Sequence, residues 1–395
     1  MRYLLKIIKF TLQFTCICLV SLVPKRQSVW AFGAWQGKKF SDNPKFMYLY
    51  VSSLKQSGIK PVWITKDIEL ASELRNKGVV AYYYLSFRGI YYQVVASAVF
   101  VGHSITSDLS AMLIGYNSIR IQLWHGIPLK KIGFDDSIFT TKNTLPLRFP
   151  RLYPLLSNER YDVVISTGRL CTDSFSTAFN VSKSTIMTTG FPRNDAFSFE
   201  AEKKDQLMPY RVIYMPTFRG GLGDDFDLFE QFGFHLETVE SKLVAEGIEL
   251  HIRTHPVNKP PLHLLKQLNR SLVIKTSSVS DIYDEISTYD CLITDYSSIM
   301  FDFALSNKPI LLAPFDLSNY LTKDRELYYP YSDISNPNNT CLDWPDLIEK
   351  LIKIKNKPES LILTNKEFLK FHDTLPQGEY GYSRNVYKVV RELTS

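Results

Sequence analysis

From Ser28 onward the chain alternates short apolar runs with stretches of helical spacing. The runs SVWAFG (28–33), PVWIT (61–65), VVAYYY (79–84), SAVFVG (97–102), IRIQLW (119–124) and DVVIST (162–167) are rich in β-branched and aromatic residues and predict strands. Residues 46–56, 67–77 and 169–180 repeat apolar positions at helical intervals between them. The charged stretch EAEKKDQLM (200–208) has no strand character and reads as a linker. A second series follows: RVIYMP (211–216), IELHIRT (248–254), SLVIKT (271–276), DCLIT (290–294) and PILLAP (309–314). Residues 315–343 read as loop and 345–393 as helices. Strands alternating with helices imply mostly parallel sheets. The expected fold class is therefore α/β and GT-B-like: two doubly wound Rossmann-type domains, residues 24–199 and 209–378, joined by the linker 200–208. A C-terminal helix, 379–395, follows. Ligands of such sheets bind outside the carboxyl ends of the strands, and here a cleft between the domains is expected.

The first 23 residues stand apart. FTLQFTCICLVSLV (10–23) is mostly apolar, but Lys6, Lys9 and Gln13 interrupt a run of spanning length, and VPKRQ follows where a cleavage site would be. An interfacial helix is the reading preferred for 1–23, with a single span or a buried or cleaved segment as alternatives. Charge changes the picture here. The chain of 395 residues has a net charge of +6, and residues 1–40 alone supply seven cations and no acid, so the remainder is close to neutral. That balance argues against nucleic acid as partner and for an anionic membrane surface, on the cytoplasmic face of the cell membrane. The five cysteines are scattered without metal-ligand spacing, which fits reduced thiols. Hydrophobic residues at 45% and charged residues at 22% exclude a disordered or fibrous chain.

Candidate chemistry gathers at predicted strand ends. In LWHGIPLKKIGFD (123–135), His125 ends a strand and has the ordinary pKa range for taking a proton from a hydroxyl, while Gly126 permits close backbone approach. In HIRTHP (251–256), Arg253 and His255 alternate onto one face with Thr254 opposite, and both could meet one phosphate. In ITDYSSIMFDF (293–303), Ser297 and Ser298 at a helix start suit an anion, and Asp302 lies one turn later on the same face, where it could take a polyol hydroxyl. GFPRND (190–195) offers Arg193, and YMPTFR (214–219) offers Pro216 and Thr217. Each motif alone has a plainer reading: a histidine closing a strand, a serine N-cap, a solvated arginine. Together they suit a pyrophosphate-containing donor. No G-x-G-x-x-G follows the first strand and no P-loop occurs, so neither a dinucleotide nor a P-loop nucleotide site is expected. Carboxylates are too dispersed for a two-metal site; no metal and no cofactor are expected.

At these motifs the sequence resembles the CDP-glycerol glycerophosphotransferase family, the teichoic-acid primases and polymerases. WHGIPLKKIGFD, GFPRND, MPTFR, RTHP, TDYSSIMFDF, KPILLAPFDLSNYLTKDRELYY (308–329) and the entry segment 28–51 carry the resemblance, over roughly residues 24–335. It implies catalytic roles for His125 and His255. It further implies substrate contacts at Gly126, Ile127, Pro128, Leu129, Arg193, Pro216, Thr217, Arg253, Thr254, Ser297, Ser298 and Asp302. Ile127 stands where the family commonly has Thr, and Glu326 where Gly is usual. The implied reaction moves glycerol phosphate from CDP-glycerol to a hydroxyl of a lipid-linked saccharide or a growing teichoic-acid or capsule polymer, with release of CMP. A CDP-ribitol donor, a nucleotide-sugar glycosyltransferase on the same fold and a non-catalytic polymer-binding membrane protein remain as alternatives.

Overall fold

The computed structural model describes residues 2–137, 155, 157–197, 208–219, 227–254, 260–277, 281–323, 326–357, 365–373 and 381–394. The chain divides into two compact units. The first comprises Met1–His125, Ile132–Ser198 and His372–Ser395, the second Gly126–Lys131 and Phe199–Phe371.

In the first unit, β1 (Arg26–Gly33), β2 (Lys60–Thr65), β3 (Ala81–Tyr83), β4 (Ala96–Val101), β5 (Ile119–Gln122), β6 (Val163–Ser166) and β7 (Ile186–Thr188) form one parallel sheet in the order β3-β2-β1-β4-β5-β6-β7. The central strands read as unbroken apolar runs because both faces are covered: Trp30, Ala31 and Phe32 of β1 and Val99, Phe100 and Val101 of β4 are inaccessible to solvent. Phe32 stacks on Phe100 across the pair. The order reverses between β1 and β4, which makes their carboxyl ends the expected ligand site.

The second unit repeats the plan with β8 (Tyr210–Met215), β9 (Ile248–Ile252), β10 (Ile274–Thr276), β11 (Cys291–Thr294) and β12 (Ile310–Leu312), ordered β10-β9-β8-β11-β12 and all parallel. Its reversal lies between β8 and β11. The core gathers on Trp344, whose ring meets Tyr214 and Phe234 edge-on and whose Nε1 donates to the Leu228 carbonyl at 2.8 Å. Trp344 opens the helix Trp344–Asn356, where Asp343 caps the Asp346 amide at 2.9 Å and Pro345 occupies the first turn.

Three expectations from the sequence are corrected. The C-terminal helix, Gly381–Thr394, is part of the first unit rather than a separate appendage. The Asp195 carboxylate accepts the amides of Tyr382 and Ser383 at its start (2.9 and 3.1 Å), and Tyr387 packs on Trp30 and Tyr50. Residues 126–131 belong to the second unit although β5, just before them, belongs to the first. A helix, Leu317–Lys323, interrupts the stretch read as loop. Nearly all of the expected linker, 200–207, lies outside the described residues.

The N-terminal segment is a helix, Arg2–Ser21. Gln13 and Ile17, one turn apart, are buried against the first unit, and the Ser21 hydroxyl accepts the Tyr116 amide at 2.7 Å. Leu12, Leu19 and Leu22 face out, at 55%, 61% and 81% exposure. Among the described residues, no helix is long and apolar enough to cross a membrane.

Candidate active site

One cluster of candidate residues is built around the turn that follows β5. Trp124 has φ 51° and Gly126 φ 136°, so the chain reverses sharply on either side of His125; only glycine takes the second of these angles without strain. Asn43 clamps the turn from the start of the helix Asp42–Ser53, its Nδ2 donating to the carbonyls of Leu123 (3.1 Å) and Trp124 (2.9 Å). Arg193 clamps it from the other side. Its Nη1 donates to the His125 carbonyl at 2.9 Å and to Asp42 Oδ1 at 3.0 Å, and its amide donates to Asn43 Oδ1 at 3.0 Å. Arg193 is only 4% exposed. The sequence marked it as a donor contact; here it is a buried support for the His125 backbone.

The imidazole itself is oriented by the loop after β4. His125 Nδ1 lies 2.9 Å from the Gly102 carbonyl oxygen. A carbonyl can only accept, so Nδ1 carries the proton and Nε2 keeps its lone pair. Asp108, fully buried, holds that loop in turn by accepting the amides of Gly102 (2.9 Å) and His103 (2.7 Å) on Oδ2. The His103 ring stacks on His125 with centroids 4.2 Å apart, and the Trp124 ring, tilted, lies 4.0 Å from the His125 ring. Burial, followed by the neighbouring His103, pushes the His125 pKa down to about 3. The ring is therefore neutral across the physiological range.

A second cluster lies at the ends of β8, β9 and β11, which are adjacent in the order β9-β8-β11. After β8, the Thr217 amide donates to both oxygens of Asp295 (2.8 and 3.0 Å), which ties the Pro216–Thr217 turn to the end of β11. Arg219 completes the tie. It grips Asp316 through Nε and Nη2 (2.7 and 2.9 Å) and Asp295 through Nη2 (2.7 Å), and it lies beneath the stacked pair Tyr296 and Tyr320. Burial alone would lower its pKa, but Asp295 and Asp316 together hold it above the ordinary value. Around this frame the Thr217 hydroxyl is enclosed and has no hydrogen-bond partner among the described residues. The hydroxyls of Ser297 and Ser298 are half-buried at the start of the helix Ile299–Phe303, where neither caps the helix. Arg253 and Thr254, both half-buried, follow β9 directly. The Arg253 amide extends the ladder to the Tyr214 carbonyl at 2.9 Å, and burial lowers its pKa against the pull of Asp281 and Glu285. His255 lies outside the described residues.

Two expected contacts change meaning. Asp302 is fully buried, and its Oδ2 accepts the Tyr283 hydroxyl at 2.5 Å. Asp302 itself turns into the core, although Ser298 one turn before it stays half-buried, so it braces the helix rather than offering a carboxylate to a polyol. In the loop after His125, the side chains of Ile127 and Leu129 are buried, and the Leu129 carbonyl accepts the Tyr328 amide at 2.8 Å; Pro128 is buried between them. Lys131 pairs with Glu326, so the glutamate standing in place of the usual glycine has an ionic partner. Ligand contact by Gly126, Ile127, Pro128 or Leu129 is thus confined to the backbone.

Asp42, Asn43, Asp108, Arg219, Asp295 and Asp316 were not singled out from the sequence as site residues. All but Asp108 stand inside the runs that carry the resemblance, SDNP, MPTFR, TDYSS and APFDLS. Their function is to hold backbone, and residue type alone does not announce that.

Residues 15–391 match the family model described as CDP-Glycerol:Poly(glycerophosphate) glycerophosphotransferase. The chain is 28% identical over 340 residues to the teichoic acid glycerol-phosphate transferase of Staphylococcus aureus, covering 80% of this chain and 82% of that one. It is 26% identical over 393 residues to the teichoic acid poly(glycerol phosphate) polymerase of Bacillus spizizenii, covering 95% and 94%. The solved structure of the wall teichoic acid polymerase TagF superposes with a TM-score of 0.75 at 20% identity, over 99% of this chain and 96% of that one, which shows a common fold.

Proposed function

We infer the reaction from kinship: the chain belongs to the CDP-glycerol:poly(glycerophosphate) glycerophosphotransferase family, and it is a CDP-glycerol glycerophosphotransferase. The acceptor hydroxyl attacks the β-phosphorus of CDP-glycerol in line, the glycerol phosphate is transferred, and CMP leaves. His125 Nε2 takes the hydroxyl proton. One observation carries this assignment: Nδ1 is committed to the Gly102 carbonyl, so the lone pair sits on the nitrogen that remains available. An anionic substrate beside the ring favours the imidazolium and raises the basicity that burial suppresses. His255 is the alternative base.

The donor is bound by the second unit. Thr217, Ser297, Ser298, Arg253 and Thr254, with backbone groups of Gly126, Ile127, Pro128, Leu129 and Pro216, bind the diphosphate and the departing CMP. Fixed donors and positive charge aimed at the phosphates supply the catalytic stabilisation. The acceptor is a hydroxyl of a lipid-linked saccharide or a polyol-phosphate chain. The helix Arg2–Ser21 lies on the cytoplasmic face of the membrane carrying it, with Leu12, Leu19 and Leu22 toward the acyl region, and the net positive charge of the N-terminal segment draws it to anionic lipid.

The test is CMP release by purified protein in detergent, with CDP-glycerol and CDP-ribitol compared, crude lipid extract as acceptor and His125→Ala as control. Acceptor-dependent release from CDP-glycerol, lost in the variant, is the expected result. Release from CDP-ribitol alone would reassign the donor. No release from either by folded protein would overturn the reading.

A further inference from the structure

The reversal of strand order in the first unit lies between β1 and β4, and the loops leaving those two strands carry groups that the reaction above does not use. After β1 the backbone is left-handed at three successive residues, Trp35 (φ 48°), Gln36 (φ 57°) and Gly37 (φ 73°). This conformation is held in place: the Gln36 amide donates to Asp108 Oδ1 at 2.8 Å, and the Gly37 carbonyl accepts the Lys66 amide at 2.7 Å and the Thr65 hydroxyl at 2.6 Å. It presents a Trp35 ring that is 39% exposed, with the Lys39 ammonium 5.0 Å from the ring centre. Next to Trp35, at 5.2 Å and steeply inclined to it, lies the His103 ring, which itself stacks on His125. The buried nitrogen of His103, Nδ1, faces Asp108 Oδ1 at 3.8 Å, and the ring keeps a quarter of its side chain open. A continuous row of rings, Trp35–His103–His125, thus runs from solvent to the proposed base.

We propose that the loops closing β1 and β4 form an acceptor subsite for a phosphate-bearing polyhydroxyl compound, with Trp35 as a flat platform for its carbon skeleton and Lys39 and His103 as partners of its phosphate. The proposal rests on the glycerophosphotransferase reading, since it places the acceptor beside His125. The chemistry matches the groups. An exposed indole offers an apolar face to the C–H side of a sugar or polyol. An exposed ammonium and an imidazole complement a phosphate, and neither Lys38 nor Lys39 has an acidic neighbour in sequence before Asp42, which Arg193 already neutralises. The three consecutive left-handed residues are the kind of backbone strain that accompanies sites of use.

Two readouts test this. The first is calorimetric titration of the full chain in detergent with a hexose 1-phosphate and, separately, with glycerol 3-phosphate, for wild type, Trp35→Ala, Trp35→Phe and Lys39→Ala. Both probes are expected to bind in the millimolar range, with about tenfold weaker binding after Trp35→Ala or Lys39→Ala and near-normal binding after Trp35→Phe. Stronger binding of the hexose phosphate assigns the subsite to a saccharide acceptor; stronger binding of glycerol 3-phosphate assigns it to a growing polyol-phosphate end. Absence of binding to wild type, or binding indifferent to both alanine variants, overturns the proposal. Lys39 is exposed, so its replacement tests binding without disturbing the core. The second is CMP release at varied acceptor and donor. The same variants should raise the acceptor KM and leave the CDP-glycerol KM unchanged; a rise in the donor KM instead overturns it. Wild type that binds the probes yet releases no CMP would overturn the reaction and leave the binding site standing.

Discussion

The Nδ1 of His125 and the carbonyl oxygen of Gly102 are 2.9 Å apart, and this single bond decides which nitrogen of the imidazole is free. His125→Ala should lower kcat by about 10²-fold or more while the protein remains folded. With the pKa held near 3, the free enzyme should also show no acid limb in kcat/KM around pH 6.5 that belongs to His125. A pH–rate profile from 5 to 8 checks this. Turnover by His125→Ala close to wild type would remove the residue from the reaction.

Arg219 should matter more for stability than a surface arginine. Its partners Asp295 and Asp316 are buried, and Arg219→Ala would leave both carboxylates uncompensated, a loss of about 3–5 kcal/mol. The midpoint of urea unfolding measures it. A loss under about 1 kcal/mol, the size of an exposed pair, would show that the network is not holding the β8 and β11 ends together.

Asp195 makes stability depend on pH in an unusual direction. Burial raises its pKa from 3.8 to about 6, against the hydrogen bonds from Ser383 and Tyr382. Between those values the folded state binds more proton than the unfolded one, so this residue's contribution is fully present below pH 3.8 and is lost as pH rises through about 6. Asp195→Asn should flatten that part of the curve. Melting temperatures of wild type and variant, compared from pH 4 to 7, test the sign; parallel curves would contradict it.

Membrane attachment should depend on the outward face of the N-terminal helix. Leu12→Glu with Leu19→Glu removes two exposed leucines, each worth about 1.5–3 kcal/mol if fully buried in lipid, without touching Gln13 or Ile17. Sedimentation with vesicles containing anionic lipid should fall at least tenfold. Undiminished sedimentation would place attachment elsewhere.

The sequence displayed the sheet interiors well and the tertiary decisions poorly. β1, β4 and β11 are legible because a central parallel strand must be apolar on both faces, as the runs VWAF, AVFV and CLIT are. β7, three residues at the sheet edge with Met187 and Thr188 partly open, leaves no such run. Strand-end placement of His125, Thr217, Arg253, Ser297 and Ser298 followed directly from the strand positions. Asp302 did not follow, because helical spacing tells which residues share a face but not what that face meets; Tyr283 meets it. Arg193 looked like a ligand contact because arginine suits phosphate, yet Asp42, 151 positions away in sequence, claims it.

The path of the chain has a bearing on how such a protein can be recombined. The tail that covers Trp30 and Tyr50 is encoded last, and six residues of the second unit are encoded in the middle of the first. No single cut yields two self-sufficient pieces. A hybrid made by joining the front half of one relative to the back half of another would pair a sheet with a foreign closing helix and a foreign Gly126–Lys131 insert. Working chimaeras of this chain that keep each unit from one parent therefore need four crossover points, with Gly381–Thr394 inherited from the same parent as β1.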